Sequence, residues 1–216
     1  MQKKLNLLYR NCPVCNSKKY KNFFIKKNFK KIDSNNNIYT IDKFYVKCDF
    51  CNLVYTNPTV KSSVFDKIYE ETMVGSFKNL KQKDIIYKKF DYFLEIFNNK
   101  NKISNVLEIG CGQGELLRKV SKKLNLKKKD VIGIEPSKKI YNYLKKQNFG
   151  LFKRSFKKNF SISKKFDLIL MDNVFEHFDF PNLELRKIYK ILSSDGLIYI
   201  SIPNIFNLNF DYEDPM

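Results

Sequence analysis

Residues 106–117 read VLEIGCGQGELL. An apolar run carrying one acid, Glu108, meets Gly110, Gly112 and Gly114 at alternate positions, and Glu115 then opens a stretch with helical spacing. Strand, glycine loop and helix in that order start a βα unit, and loops of this kind approach nucleotides closely. The dinucleotide fingerprint G-x-G-x-x-G would put its third glycine where Glu115 stands, and no Gly-Lys-Ser/Thr follows to make a phosphate-cradling P-loop. A pyrophosphate wants bare backbone donors at a helix start, whereas here Glu115 and Glu108 bring negative charge. The loop therefore suits a nucleoside-like ligand that carries positive charge. Cys111, wedged among the glycines, reads as a small packing residue rather than a reactive thiol.

Outward from this loop the chain alternates. Strands are expected at 105–110, 130–136, 150–155, 166–172 and 196–204, and helices at 114–125, 137–148 and 182–192, with Ser137 as an N-cap and Asp195-Gly196 as a turn. Such alternation predicts an α/β, doubly wound, mostly parallel sheet, which binds ligands beyond the carboxyl ends of its strands. Upstream, Asn57-Pro58 marks a turn and Ser62 or Ser63 can cap a helix running to Tyr69. Ile86, Phe90, Phe93, Leu94 and Phe97 recur at helical spacing, so residues 80–99 read as an amphipathic helix with a core-facing aromatic stripe.

The first 60 residues are of another kind. Cys12 and Cys15 stand in CPVC, Cys48 and Cys51 in CDFC, and 32 residues lie between the pairs. That interval is aromatic and β-branched at its flanks and turn-forming at DSNNN, as in a β-hairpin or meander. Two Cys-x-x-Cys knuckles brought together by such strands offer four thiolates to a tetrahedral metal, and zinc (Zn2+) in a structural role is the expected occupant. A redox pair needs one motif rather than two, and iron–sulfur spacings crowd three cysteines together. The division expected is a zinc-binding module over 1–60, a helical linker and lead-in over 61–100, and a cofactor-binding domain over 101–216.

Composition bounds the rest. Hydrophobic residues make up 43% and charged residues 29%, which places the chain among soluble globular proteins. No apolar run is long enough to cross a bilayer, and the N-terminus lacks a signal-peptide pattern, so the expected location is cytoplasmic and reducing, where disulfides are rare. The net charge of +19 invites a nucleic-acid partner, but of 41 basic residues only Arg10, Arg118, Arg154 and Arg186 are arginines. The Arg fork is what reads bases and phosphates best, and these lysines spread along the whole chain. A nucleic-acid partner is therefore not favoured, while attraction to acidic small molecules remains open.

With these residues in view, the chain resembles the class I S-adenosylmethionine-dependent methyltransferases. E-x-G-x-G-x-G after the first strand is similar to their motif I, Glu135 in IGIEPS to the acid that holds both ribose hydroxyls, and FDLILMDNVFEHF and GLIYISIPN to their fourth and fifth strands. The resemblance implies a Rossmann-like fold. It also implies a cofactor site for S-adenosyl-L-methionine made of Glu108, Gly110, Cys111, Gly112, Gly114, Glu135, Pro136, Phe156, Asp172 and Asn173, with Phe156 near the adenine. The single histidine, His177, falls just beyond the fourth strand and is the general-base candidate. Some relatives bind magnesium through Glu-x-x-Glu-His there; Asn173 occupies the first position, which speaks against that metal.

CPVC…CDFC-x-L-V-Y-x-N-P ahead of such a domain resembles sugar C-methyltransferases. That implies a small-molecule acceptor, a nucleotide-linked sugar or surface-polysaccharide precursor. Rival readings are an RNA-modifying methyltransferase and a non-catalytic zinc-bearing subunit that retains the cofactor fold. The fold resembled has seven strands and five are legible, so the last two are expected to be missing. A truncated or split product, or a partner chain or self-association covering the open sheet edge, is the corresponding expectation.

Overall fold

The computed structural model describes residues 7–32, 38–60, 88, 90–96, 103–152, 156 and 162–203. The chain divides into two compact units: Met1–Thr72 with Asp179–Glu184, and Met73–Phe178 with Leu185–Met216.

In the first unit, strands β1 (Leu7–Leu8), β2 (Tyr20–Ile32), β3 (Ile38–Cys48), β4 (Val54–Thr56) and β5 (Thr59–Val60) follow in chain order. β2, β3 and β4 form an antiparallel meander, and β1 pairs with β5. The expected hairpin is present; its tip, 33–37, lies outside the described residues. Asn57 does more than turn the chain. Its buried amide accepts from the Arg10 N–H at 3.0 Å and donates to the Arg10 carbonyl at 3.1 Å, so it prolongs the β1–β5 pairing with a side chain in place of backbone.

The second unit holds strands β6 (Val106–Ile109), β7 (Val131–Ile134), β8 (Gly150–Phe152), β9 (Phe166–Asp172) and β10 (Leu192–Ser201). Every pairing in the sheet is parallel, and the order is β10-β9-β6-β7-β8. Helices α1 (Glu115–Lys123), α2 (Lys138–Lys145) and α3 (Pro181–Ile191) connect the strands. The doubly wound reading holds. The chain moves outward one way from β6 through β7 to β8 and the other way through β9 to β10, so the direction reverses between β6 and β9. Ligands enter sheets of this class at such a reversal.

The elements follow from local chemistry. β9 is apolar on both faces, as a strand inside a parallel sheet must be, and Leu168, Ile169, Leu170 and Met171 are fully buried. α1 buries Leu116, Leu117 and Val120, with Glu115 in its first turn and Lys122 and Lys123 in its last, matching the helix dipole at both ends. Ser137 caps α2 as expected, its hydroxyl accepting from the Ile140 N–H at 3.5 Å. Phe90 and Leu94, from the helical stretch 90–96, are buried against Val106, Val120 and Leu170, and Phe93 packs at the edge of that cluster. Ile86, Phe97 and the expected cap and helix between residue 62 and Tyr69 fall outside the described residues.

One expectation is corrected. Asp195-Gly196 does not turn the chain but lies inside β10, where the register shifts between Leu192 and Leu197. The bulge explains why turn-like residues sit there: a Cβ on Gly196 would come within 2.7 Å of Leu192 Cγ.

At the end of the sheet away from the glycine loop, Asp167 ties three segments together. Its Oδ2 accepts from the Ser104 and Asn105 N–H groups, both at 2.9 Å, and its Oδ1 from the Ser193 hydroxyl at 2.8 Å. Burial pushes this carboxyl up, but these donors, with the Asn105 side chain, outweigh burial and hold it below the ordinary range. Because the folded value is the lower one, the stabilisation is present above the unfolded pKa and is lost as pH falls through the folded one. Asp167→Asn is expected to cost about 1–3 kcal/mol at neutral pH. The deficit relative to wild type should shrink as pH drops below about 4, as read by denaturant unfolding across pH.

Candidate functional site

The site gathers at the carboxyl ends of β6, β7 and β9, within the second unit. Three glycines make it possible: φ is 71° at Gly110, 47° at Gly112 and 73° at Gly114, a region in which side chains are strained. Two of them also have no room for a Cβ, which would meet Val174 Cγ2 at Gly110 and Leu144 Cδ2 at Gly114, each at 2.5 Å. Around Gly112 the space is open, with nothing within 4 Å of the Cβ position. The loop is pinned to the neighbouring strand by the Gly110 and Cys111 N–H groups, which donate to the Ile134 carbonyl at 2.9 and 3.1 Å.

Beneath the loop lies Glu108. It pairs in register with Gly133 on β7 and Leu170 on β9, so Asp172, two residues beyond Leu170, falls on the same sheet face. Glu108 is 4% exposed, and its Oε2 finds no hydrogen-bond partner among the described residues. Burial, then the charges of Asp172 and Glu135, push its carboxyl well above the ordinary glutamate range against the weaker pull of the Leu117 N–H and Arg118. Glu135 is also buried, but it is held. Oε2 accepts from the Gly112 N–H at 3.0 Å and Oε1 from the Ser137 N–H at 2.8 Å, which moderate the upward push of burial. Glu115, beside the loop, lies 3.4 Å from the Arg118 guanidinium.

Cys111 is buried with its Sγ against Gly133, where a Cβ would come within 2.5 Å of the sulfur. Burial, then Glu108 and Glu135, push its thiol well up, so it stays protonated and unreactive, in keeping with a packing role. Pro136 follows Glu135 at the start of the turn into α2. Asn173 leaves β9 with φ 52° and donates its N–H to the Ser201 carbonyl at 2.9 Å. Phe156 is not brought to the carboxylates. It is buried in the cluster of Leu107, Ile109 and Ile134 on the sheet's other face, 6.3 Å from the Phe178 ring. His177 ends a short 3₁₀ turn, Phe175–His177, half-buried, with Nε2 4.0 Å from Glu176 Oε1.

Three residues that sequence reasoning passed over belong here. Gly133 gives Cys111 its place. Tyr199 and Ser201 on β10 lie opposite Leu170 and Asp172, on the face of Glu108. Burial and then Asp172 push the Tyr199 phenol up, and its ring packs edge-on against Phe90 at 5.4 Å. The alternation in LIYIS already puts Tyr199 and Ser201 on one face.

In the first unit the four paired cysteines converge. Cys12 and Cys51 sulfurs are 3.5 Å apart, as are those of Cys15 and Cys48, and all four lie within 4.8 Å of one another as free thiols. Zinc–sulfur bonds of about 2.3 Å give tetrahedral edges of about 3.8 Å, so the cluster could hold a metal ion. The two knuckles share one geometry. The Asn16 and Asn52 N–H groups return to the Cys12 and Cys48 carbonyls, and both asparagines have φ 61°. Cys-x-x-Cys-Asn occurs in both, and asparagine tolerates that left-handed conformation. Backbone N–H groups of Cys51 and then Phe50 draw the Cys48 thiol down to about 6 despite its burial, whereas Cys12, Cys15 and Cys51 are pushed up. The chain is expected to bind about one divalent ion, giving cobalt(II) the absorption of a tetrahedral thiolate site; Cys48→Ser should abolish that spectrum.

Among the described residues no helix is long and apolar enough to cross a membrane. A family model described as methyltransferase domain matches residues 81–211. Among curated proteins, the probable (S)-tetrahydroprotoberberine N-methyltransferase 2 of Papaver bracteatum is 30% identical over 179 residues, which cover 76% of this chain and 48% of that protein. Solved structures that are similar include the plantazolicin methyltransferase BpumL in complex with a pentazolic desmethylPZN analog and SAH. It is 27% identical, with 63% of this chain and 49% of that chain covered and a TM-score of 0.47. Coclaurine N-methyltransferase bound to N-methylheliamine and SAH is 26% identical, with 57% and 37% covered and a TM-score of 0.46. The chain spans about half the length of the curated relative it matches.

Proposed function

The chain belongs to the methyltransferase-domain family, and we propose that it transfers a methyl group from S-adenosylmethionine to a small-molecule acceptor, a nucleotide-linked sugar or surface-polysaccharide precursor. The observation that carries the cofactor reading is the pairing of an open glycine at Gly112 with a buried carboxyl at Glu108 whose Oε2 has no donor among the described residues. Both fit a cationic nucleoside: the backbone can be approached at Gly112, and the orphan oxygen has positive charge to meet.

When bound, such a cofactor supplies a methyl group on a sulfonium that is already a good leaving group, so positioning is most of what the protein must contribute. Gly110, Gly112 and Gly114 let the main chain come close. Glu135 is fixed by one backbone N–H on each oxygen, and each oxygen keeps a further lone pair with which to accept from a ribose hydroxyl. Glu108 and Asp172 place two carboxyl groups on one face of the sheet, with Asn173 turning the chain beside them. His177, on the turn beyond β9, takes a proton from the acceptor when the reacting group carries one. Phe156 helps the adenine end only through the apolar wall it shares with Phe178. In this reading zinc holds the four cysteines and ties the two knuckles together, a folding role with no part in the chemistry. The sugar acceptor rests on the four-cysteine module followed by LVYTNP.

Calorimetry should give saturable binding of both S-adenosylmethionine and its demethylated product. Gly112→Ala should cost the fold only about 1 kcal/mol in melting experiments, yet weaken both ligands by more than tenfold by filling the open approach. An absence of binding for either ligand sinks the reading. Turnover by His177→Ala should drop by about 100-fold or more with cofactor affinity unchanged, and undiminished turnover removes the base role.

A further inference from the structure

The orphan oxygen of Glu108 has a consequence beyond holding a ligand. Its carboxyl is faced by Glu135 after β7, Asp172 at the end of β9, Cys111 in the loop, and Arg118 on α1, where the Leu117 N–H supplies a backbone donor that leaves Oε2 without one among the described residues. Two of these are acids, one is a protonated thiol, and the cation is set against Glu115 at 3.4 Å. Glu135 and Asp172 differ from Glu108 in kind. Glu135 has a backbone donor on each oxygen, and Asp172 sits at the strand end, partly exposed. Glu108 alone combines full enclosure, two acidic neighbours and an oxygen with no donor among the described residues. A carboxyl in such a place holds its proton, because one backbone donor and a cation already set against Glu115 do not offset burial beside two acids.

We propose that Glu108 exchanges its proton for the charge of the cofactor: entry of the sulfonium cation releases the Glu108 proton to solvent, and the neutral thioether product leaves the carboxyl protonated. The balance is simple. The O–H bond of the carboxylic acid breaks, the electron pair stays on the carboxylate, the proton passes to buffer, and nothing is oxidised or reduced. Cofactor and product differ by one methyl group and one positive charge. Glu108 therefore makes the site a selector for the charged member of the pair, which favours product release after each transfer.

This inference rests on the cofactor reading above and adds a pH dependence to it. Binding that releases a proton tightens as pH rises, by up to about tenfold per unit, until pH passes the folded pKa of the carboxyl, and is flat above it. Product binding carries no such term from Glu108. In the ligand-free protein the sign runs against the fold: a raised carboxyl pKa favours the folded state at low pH, and that advantage fades as pH rises through the raised value.

The test is calorimetry of the full-length chain in two buffers with different ionisation enthalpies. Wild type is expected to release up to about one proton on binding S-adenosylmethionine and close to none on binding its demethylated product. Glu108→Gln should remove the release and flatten the pH dependence, narrowing the preference for the cation. Binding of both ligands with equal proton release overturns this inference and leaves the cofactor reading intact, and so does release that persists in a folded Glu108→Gln protein. Failure of both ligands to bind overturns the two together. The wild-type buffer comparison needs no variant and decides the matter even where Glu108→Gln does not fold.

Discussion

An acid buried on the central strand, with an oxygen that finds no donor among the described residues, is the constraint around which much of the second unit is arranged. β6 tolerates Glu108 because everything else on the strand is apolar: Val106 joins the cluster of Leu117, Val120 and Leu170, while Leu107 and Ile109 join that of Ile134, Ile169 and Met171 on the other face. Hydrophobic burial on two sides keeps the strand in place while one side chain works against it. The glycines serve the same end. A loop of ordinary residues could not reach φ of 71°, 47° and 73° in five residues, and without them the main chain could not fold down over the carboxyl.

The fold was legible because hydrophobic periodicity and position in the chain agree. FDLILMD is too continuously apolar for a half-exposed strand and too short for a buried helix, and β9 spans Phe166–Asp172 as expected. β10 misled at Asp195-Gly196, since turn chemistry and bulge chemistry draw on the same residues. Strand order is a different matter. Nothing in the local pattern places β9 beside β6 rather than beyond β8; that is settled by which apolar faces pair, a long-range property.

The site was legible where chemistry depends on residue type and opaque where it depends on direction. Glycine spacing and the acids at 108 and 135 could be read directly, as could the cysteine pairs. That Gly112 and Ser137 both donate to Glu135 could not, because the loop and the end of β7 meet only in space. Phe156 is buried with Leu107, Ile109 and Ile134 on the face away from Glu108, a placement that its position in the chain alone does not show. The asparagines after each cysteine pair were a readable signal, since two identical Cys-x-x-Cys-Asn stretches announce two identical turns.

Charge gives the two ends of the proposed reaction different physics. The chain carries +19 overall, yet Glu108, Glu135 and Asp172 gather at one set of strand ends. At ionic strengths near 0.15 M the surface lysines act over only about 8 Å, so their repulsion of a cationic cofactor fades in solution while the buried acids remain unscreened within the sheet. The same lysines attract anions, and a nucleotide-linked acceptor is an anion. In the proposed reaction, a basic exterior would draw an anionic acceptor through charge that salt weakens, while the carboxyl groups at the strand ends, Glu108 once its proton is lost, would meet the charge of the cofactor where salt screens little.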